Sequence, residues 1–240
     1  MSGRPWLSII IPTRQLSVSL ARYIDQALAH WPETEIIIVE PDDQAPGPGA
    51  SPSVSWPACR RAQGSRGRGT QCNAGARQAR GELLMFLHDD TQLPADAPEV
   101  LAQAFGEPRV GAACFRLRFD RRHWLLAVYA FCSRVESVWT TFGDQALVIR
   151  REVFAELGGF PDWPLFEDVE LTRRLRRRGG LVKLPSTVTT SAIRYNQRGI
   201  VRQQWRNALL LSRFLLGASP WKLAAIYEGQ PRAHHRGKGA

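Results

Sequence analysis

Short apolar runs alternate with amphipathic stretches along the first half of this chain. Leu7 to Ile11 is a continuous β-branched run closed by Pro12 and Thr13, the pattern of a strand buried on both faces. Leu20, Ala21, Ile24, Ala27, Leu28 and Trp31 then recur at helical spacing until Pro32 stops them. Ile36 to Val39 reads as a second buried strand, ending at Glu40 with Asp42 and Asp43 just beyond, which completes a β-α-β unit. A further run, Leu83 to Leu87, is bounded by Gly81 and ends abruptly in His88, Asp89 and Asp90. Because side chains alternate along a strand, His88 and Asp90 are expected on one face and Asp89 on the other.

Between these runs, Gln44 to Pro57 is dense in Pro, Gly, Ala and Ser and reads as a surface loop. Trp56 to Cys59 is expected as a short edge strand and Asn73 to Arg80 as a helix ended by Gly81. Past Pro94, the positions of Val100, Leu101, Ala104 and Phe105 predict a helix, and Val110 to Phe119 a long strand. Trp124 to Val138 is apolar enough to be a helix over the sheet, or an exposed platform for an acceptor or a bilayer. Gly143, Asp144 and Gln145 precede a strand at Ala146 to Ile149, and Arg151 to Leu157 forms a helix stopped by Gly158 and Gly159. Glu167 and Asp168 head a helix whose buried side is Leu171 and Leu175; Leu181 to Leu184 is the last expected strand. Gly199 to Leu216 predicts a basic amphipathic helix with Val201, Trp205, Ala208, Leu211, Ser212 and Leu215 on one side. Gln230 to Ala240 reads as a disordered basic tail. The alternation as a whole predicts an α/β domain with a mostly parallel, Rossmann-like sheet flanked by helices over residues 1–220, followed by a tail at 221–240.

Length and charge narrow the picture. A chain of 240 residues buries a full core without staples. Its net charge is +10, yet residues 171–240 carry fifteen Lys and Arg against the single acid Glu228. That asymmetry suits a surface for phosphates or anionic lipid, or a solvated helix face. Four cysteines without Cys-x-x-Cys spacing argue against a zinc site or a disulfide framework and point to a reducing cytoplasm. No N-terminal signal pattern is present and no apolar run approaches the ~20 residues that span a bilayer, so a soluble or peripheral protein is expected. Nucleic-acid signatures are absent, and no nucleic-acid partner is expected.

The chemistry-bearing residues fall where such a sheet binds ligands, at the carboxyl ends of its strands: Thr13, Glu40 with Asp42, and His88 to Asp90. His88 and Asp90 on one face could share a divalent metal. Arg60, Arg61, Arg66, Arg68, Arg77 and Arg80 accumulate without any acid before Glu82, among Gly64, Gly67 and Gly69. This mixture suits a cradle for phosphate oxygens but matches neither a dinucleotide fingerprint nor a Walker loop. Glu167 and Asp168, at the head of a helix, are read from the residues alone as capping acids. Asp144 and Gln145 read as a turn before a strand.

Taken in order, LSIIIPTR, NAGARQARGELLMFLHDD, GDQALVIRREVFAELGGF and FEDVEL resemble the family-2 glycosyltransferases, inverting enzymes of the A-type nucleotide-diphospho-sugar fold. The chain is most similar to a bacterial subgroup associated with arsenosugar biosynthesis, through RGRGTQCNAGA, LHDDT, FGDQ and FPDWPLFEDVEL. The resemblance implies a nucleotide-binding half over about residues 1–95 and an acceptor half over about 96–220. It implies that Pro12, Thr13, Glu40 or Asp42, Asn73 and Asp89 line the nucleotide site, with Arg66 and Arg68 near the phosphates. Asp90, with His88 in the first position of the D-x-D motif, would hold Mn2+ or Mg2+. Asp168 would be the general base and Glu167 the acid beside it, with Asp144 and Gln145 facing donor sugar or acceptor. The implied partners are a nucleotide-sugar donor, expected to be a UDP-sugar, and a hydroxyl acceptor that is lipid-linked if the protein sits peripherally at the inner face of an anionic membrane. Two rival classes use the same features: a sugar-phosphate nucleotidyltransferase, and a non-catalytic membrane- or RNA-docking module.

Overall fold

A computed structural model describes residues 4–29, 31, 33–43, 54–192 and 200–228. Eight strands form one sheet in the order β3-β2-β1-β4-β7-β6-β8-β5. They are β1 (Leu7–Pro12), β2 (Thr34–Pro41), β3 (Cys59–Gly64), β4 (Leu83–Phe86), β5 (Thr91–Gln92), β6 (Ala112–Phe119), β7 (Leu147–Arg150) and β8 (Leu181–Thr190). The first four, β3-β2-β1-β4, are parallel, as the continuous apolar runs require. β7 departs from the parallel expectation: it runs against β4 in the register Phe86 to Leu147, and against β6 through only Ala112 to Ile149 and Ala113 to Val148. Beyond Ala113, β6 leaves β7 and follows β8 in parallel to Phe119 and Thr190. The sheet therefore opens at the rim where β4 ends and β7 begins.

Alternation along the buried strands divides the core in two. Ile9, Ile11, Ile36, Ile38 and Met85 pack under α1 (Val18–Tyr23), its wider π-helical continuation Ile24–Leu28, and α3 (Ala97–Phe105). Ile10, Ile37, Val39, Leu84 and Phe86 face α2 (Arg68–Gln78), α5 (Arg151–Glu156) and α6 (Glu167–Arg178). A third cluster joins Val169 of α6 to the C-terminal helices α7 (Ile200–Leu215) and α8 (Pro220–Glu228) through Leu210, Leu211, Phe214 and Leu223.

Several elements differ from the sequence expectation. α2 begins at Arg68, ahead of Asn73, and takes in Gly69, where a Cβ would lie 3.1 Å from Glu167 Cγ and from the Pro161 carbonyl. Gly75 is tighter still, with a Cβ only 2.5 Å from Ile10, so α2 is drawn down onto β1. The edge strand falls at Cys59–Gly64 and not at Trp56–Cys59, and β8 extends to Thr190. The apolar segment after Trp124 is a helix over the sheet, α4 (Trp124–Cys132), set on β6 through Leu126 and Tyr129, but Leu126 is its one buried residue and the outer side stays exposed. On α7 the side expected to be apolar divides: Leu211 is inside with Gln203, Leu210 and Phe214, whereas Val201, Trp205 and Ala208 are exposed. Residues 220–228 are helical where the tail was expected to begin. The expected stop at Pro32, residues 44–53 of the expected loop, Gly199 and the tail from Gln230 lie outside the described residues. Among the described residues, no helix is long and apolar enough to cross a membrane.

Candidate active site

β4 ends at Phe86, so His88, Asp89 and Asp90 are a turn and not a strand end; the Thr91 amide donates to the His88 carbonyl at 3.1 Å. The strand alternation expected for them does not apply. Asp89 is exposed and reaches back to Thr13, whose hydroxyl lies 2.7 Å from its Oδ2. His88 points across the rim to the loop before β7: a Cβ on Gly143 would come within 3.2 Å of His88 Nε2 and 3.0 Å of Asp168 Oδ2. Any side chain there would have to push one of the two aside by a few tenths of an ångström.

Asp168 stands at the start of α6, and its Oδ2 accepts a 2.7 Å hydrogen bond from the Gly143 amide while Oδ1 accepts from the Val169 amide at 2.8 Å. Each oxygen keeps a second lone pair for an incoming proton. Asp144, next in the loop, has a buried Oδ1 without a hydrogen-bond partner. Gln145 does not face the site. It is fully buried, donates to the Thr140 carbonyl, and accepts from Lys183 Nζ of β8 at 2.5 Å. The pair assigned to sugar or acceptor therefore divides: Asp144 is available, and Gln145 holds the loop together.

The charges around this floor are unbalanced. Burial, followed by the charge of Asp168, pushes the Asp144 carboxyl up to about 7, with Arg68 opposing and Asp90 adding to the rise. Glu167 is raised in the same way, by burial first and then by Asp168, against Arg68. Arg68 keeps solvent-accessible surface at the mouth while its charge lies deep among protein atoms. Burial works against that charge, but Glu167, Asp168, Cys72 and Asp90 outweigh it and hold the guanidinium firmly protonated. Arg68, His88, Gly143, Glu167 and Asp168 line a common cavity of about 20 Å³. That is room for roughly one water, so it is the floor of a site and not a chamber for a large ligand.

These raised carboxyls set a pH dependence. The native state holds protons that the unfolded chain releases between the ordinary carboxylate range and about pH 7, so stability falls as pH rises through that window and levels off above it. Glu167→Gln removes one such group. In chelator, the variant is expected to melt higher than wild type above pH 7, by on the order of 1–3 kcal/mol, and the gain should vanish towards pH 4.5. Thermal unfolding of both proteins across that range measures it.

On the nucleotide side the expected residues are partly spent on structure. Pro12 and Thr13 are buried at the end of β1. Glu40 accepts from the Leu16 amide at 3.0 Å and from Arg61 Nε at 2.9 Å, while Asp42 is exposed just beyond. Asn73 clamps the loop before α6, donating to the Phe160 carbonyl at 2.8 Å and accepting from its amide at 3.0 Å. The arginine cluster also disperses. Arg60 and Arg80 bind the buried Glu35 at the opposite end of β2, leaving Arg66, near Asp43 Oδ2 at 3.4 Å, and Arg68 at the rim. Gln71 was not signalled by motif or period. Its amide donates to the Thr13 and Val39 carbonyls at 2.9 and 2.7 Å and ties the ends of β1 and β2 together.

The start of α6 is braced from behind. Phe166 takes a left-handed conformation (φ 66°), costly for a bulky residue, directly before Glu167. Its ring stacks on Phe214 of α7 at 4.9 Å, and Trp163 meets the same ring edge-on at 5.9 Å. Phe214→Ala is expected to destabilise the fold by about 3–5 kcal/mol and to lower turnover more than ligand affinity. Chemical denaturation paired with steady-state kinetics reads both effects.

A divalent cation is consistent with this donor set. The orphaned buried oxygen of Asp144 and the crowd of carboxylates around Arg68 show negative charge in excess of its partners. Among the described residues no three His, Cys, Asp or Glu side chains converge as a preformed cage. The fit is therefore to an ion held by one or two side chains and completed by ligand phosphates.

A mostly parallel sheet with carboxylates at an opened rim defines the A-type glycosyltransferase fold, and solved structures share it. A mannosyltransferase from Pyrobaculum calidifontis in complex with GDP-Man and Mn2+ matches with a TM-score of 0.60 at 20% identity, covering 95% of this chain and 69% of that one. S. aureus TarS in complex with UDP matches with a TM-score of 0.59 at 15% identity, over 78% of this chain and 60% of that one. The family model for glycosyl transferase family 2 matches residues 8–134, and the chain belongs to that family. A curated relative, the O-antigen biosynthesis protein RfbC of Myxococcus xanthus, is 27% identical over 221 residues; the match covers 74% of this chain and 16% of that protein.

Proposed function

We propose that the protein transfers a sugar from a nucleotide-diphospho-sugar, a UDP-sugar in the first instance, to an acceptor hydroxyl with inversion at the anomeric carbon. The observation that carries this reading is Asp168, fixed by the Gly143 amide on the floor that Arg68 and His88 share. An acceptor hydroxyl loses its proton as it attacks, and a held carboxylate with a free lone pair can take it. Arg68, kept charged by its acidic neighbours, lies where a leaving diphosphate gathers charge, with the exposed Arg66 at the same rim. A Mn2+ or Mg2+ ion held by Asp90 and His88 would supply further neutralisation of the diphosphate. Asp144 offers its unpartnered oxygen to a sugar hydroxyl. The relatives' ligands support this donor class: GDP-Man in one neighbour and UDP in another.

The test is a panel of UDP- and GDP-sugars with Mn2+, following product by mass and by proton NMR of the anomeric centre. Release of nucleoside diphosphate with inverted configuration is the expected result. Release of pyrophosphate from a nucleoside triphosphate and a sugar phosphate would instead make the protein a nucleotidyltransferase.

A further inference from the structure

Exposed large hydrophobic side chains are concentrated in two stretches. All those found among the described residues, except Val18, lie between Trp124 and Trp139 or between Val201 and Ile226. On α4, Trp124 and Phe131 are 69% and 66% exposed, and Val135 and Trp139 continue the surface beyond the helix. On α7, Val201, Trp205 and Leu209 recur four residues apart along one exposed side. The stretches meet at one cluster: Val138 and Phe142 pack against the group of buried residues that includes Leu210, Leu211 and Phe214 of α7. Apolar surface on this scale in a folded domain marks a site of contact.

Charge decides what covers it. Arg121, Arg122 and Arg134 flank α4, and the Arg134 guanidinium lies 5.3 Å above the Phe131 ring, an arrangement suited to a polar-apolar boundary. Between Arg121 and Trp139 the single acid, Glu136, is held by Arg176, and no acid occurs from Val201 to Tyr227, where Arg202, Arg213 and Lys222 are exposed. A second copy of this face would bring cations against cations. A leaflet of anionic lipids presents the complementary charge over an apolar interior.

We propose that α4 and the exposed side of α7 together form a face that lies on an anionic membrane. The Gly143–Gln145 loop follows directly from this face, so an acceptor carried in the bilayer reaches Asp168 along it. This last step rests on the transferase reading, whereas the lipid contact does not.

The experiment is flotation of the full chain with phosphatidylcholine vesicles, with and without phosphatidylglycerol. Wild type is expected to float only with the anionic vesicles and to be released by salt. Trp124→Ser/Phe131→Ser and Arg121→Gln/Arg122→Gln/Arg134→Gln should each lower binding at least tenfold with little change in melting temperature, these side chains being exposed. Donor hydrolysis without vesicles should be unchanged in both variants, and its absence in wild type would count against the transferase reading alone. Failure to float, equal binding to neutral vesicles, or wild-type flotation by either variant would overturn the proposal. A concentration-dependent dimer abolished by Trp124→Ser/Phe131→Ser, without lipid binding, would show that the face joins two copies.

Discussion

Asp168→Asn is expected to lower the transfer rate by about 10²-fold or more while donor affinity stays near wild type. The side chain keeps its shape, but its amide nitrogen can no longer take a proton. The Gly143 amide now bonds Oδ2 and the Val169 amide Oδ1; the Asn oxygen can keep the first by rotating, and the second is given up. The loss should therefore appear in kcat at saturating donor, with calorimetric affinity for the nucleotide-sugar unchanged. Glu167→Gln should cost much less, because that carboxyl is buried, raised and turned into the floor. A rate near wild type in Asp168→Asn would move the base elsewhere.

Asp90→Ala is expected to abolish the metal-dependent part of nucleoside-diphosphate binding. A diphosphate placed beside Asp90, Asp144 and Asp168 meets like charge that Arg68 alone does not offset, since its charge already answers Glu167 and Asp168. Calorimetry with UDP in Mn2+ and in chelator measures this for wild type, Asp90→Ala and His88→Ala. If UDP binds wild type equally well in chelator, the ion has no part in donor binding. An unaltered metal effect in Asp90→Ala would place the ion on other ligands, and the His88 variant reports whether the imidazole shares in holding it.

Much of the donor half was legible because its physics is local. Leu7 to Ile11, Ile36 to Val39 and Leu83 to Leu87 are strands buried on both faces, and such strands announce themselves by unbroken apolar runs. The order of motifs carried the family, and Asp168 fell at the head of a helix as its sequence context required. What stayed hidden depended on partners distant in the chain. Asn73 reads as a ligand-binding residue until the Phe160 backbone occupies its amide, and Arg60 and Arg80 as phosphate ligands until Glu35 takes them. Gly69 reads as part of a phosphate cradle because nothing nearby in sequence reveals the Glu167 side chain pressed against it inside α2. Periodicity cannot say which of two apolar sides of α7 is inside. That depended on Trp163 and Phe166, which pack on Phe214 of α7, Trp163 also meeting Trp221 of α8.

The reversed direction of β7 has a consequence for how such a protein can diverge. The chain leaves the rim after Phe119 and returns to it at Leu147, beside the end of β4, so everything between is an excursion with both ends at one edge of the sheet. The pairing that fixes its return, Leu83 to Arg150 through Phe86 to Leu147, lies within the sheet and involves none of its residues. On the readings proposed above, residues 120–142 would act as a cassette for tether and acceptor surface, provided an exchanged segment kept the Thr140 carbonyl that Gln145 holds and the Glu136 contact with Arg176. Chimaeras joined at Phe119 and Phe142 would test that.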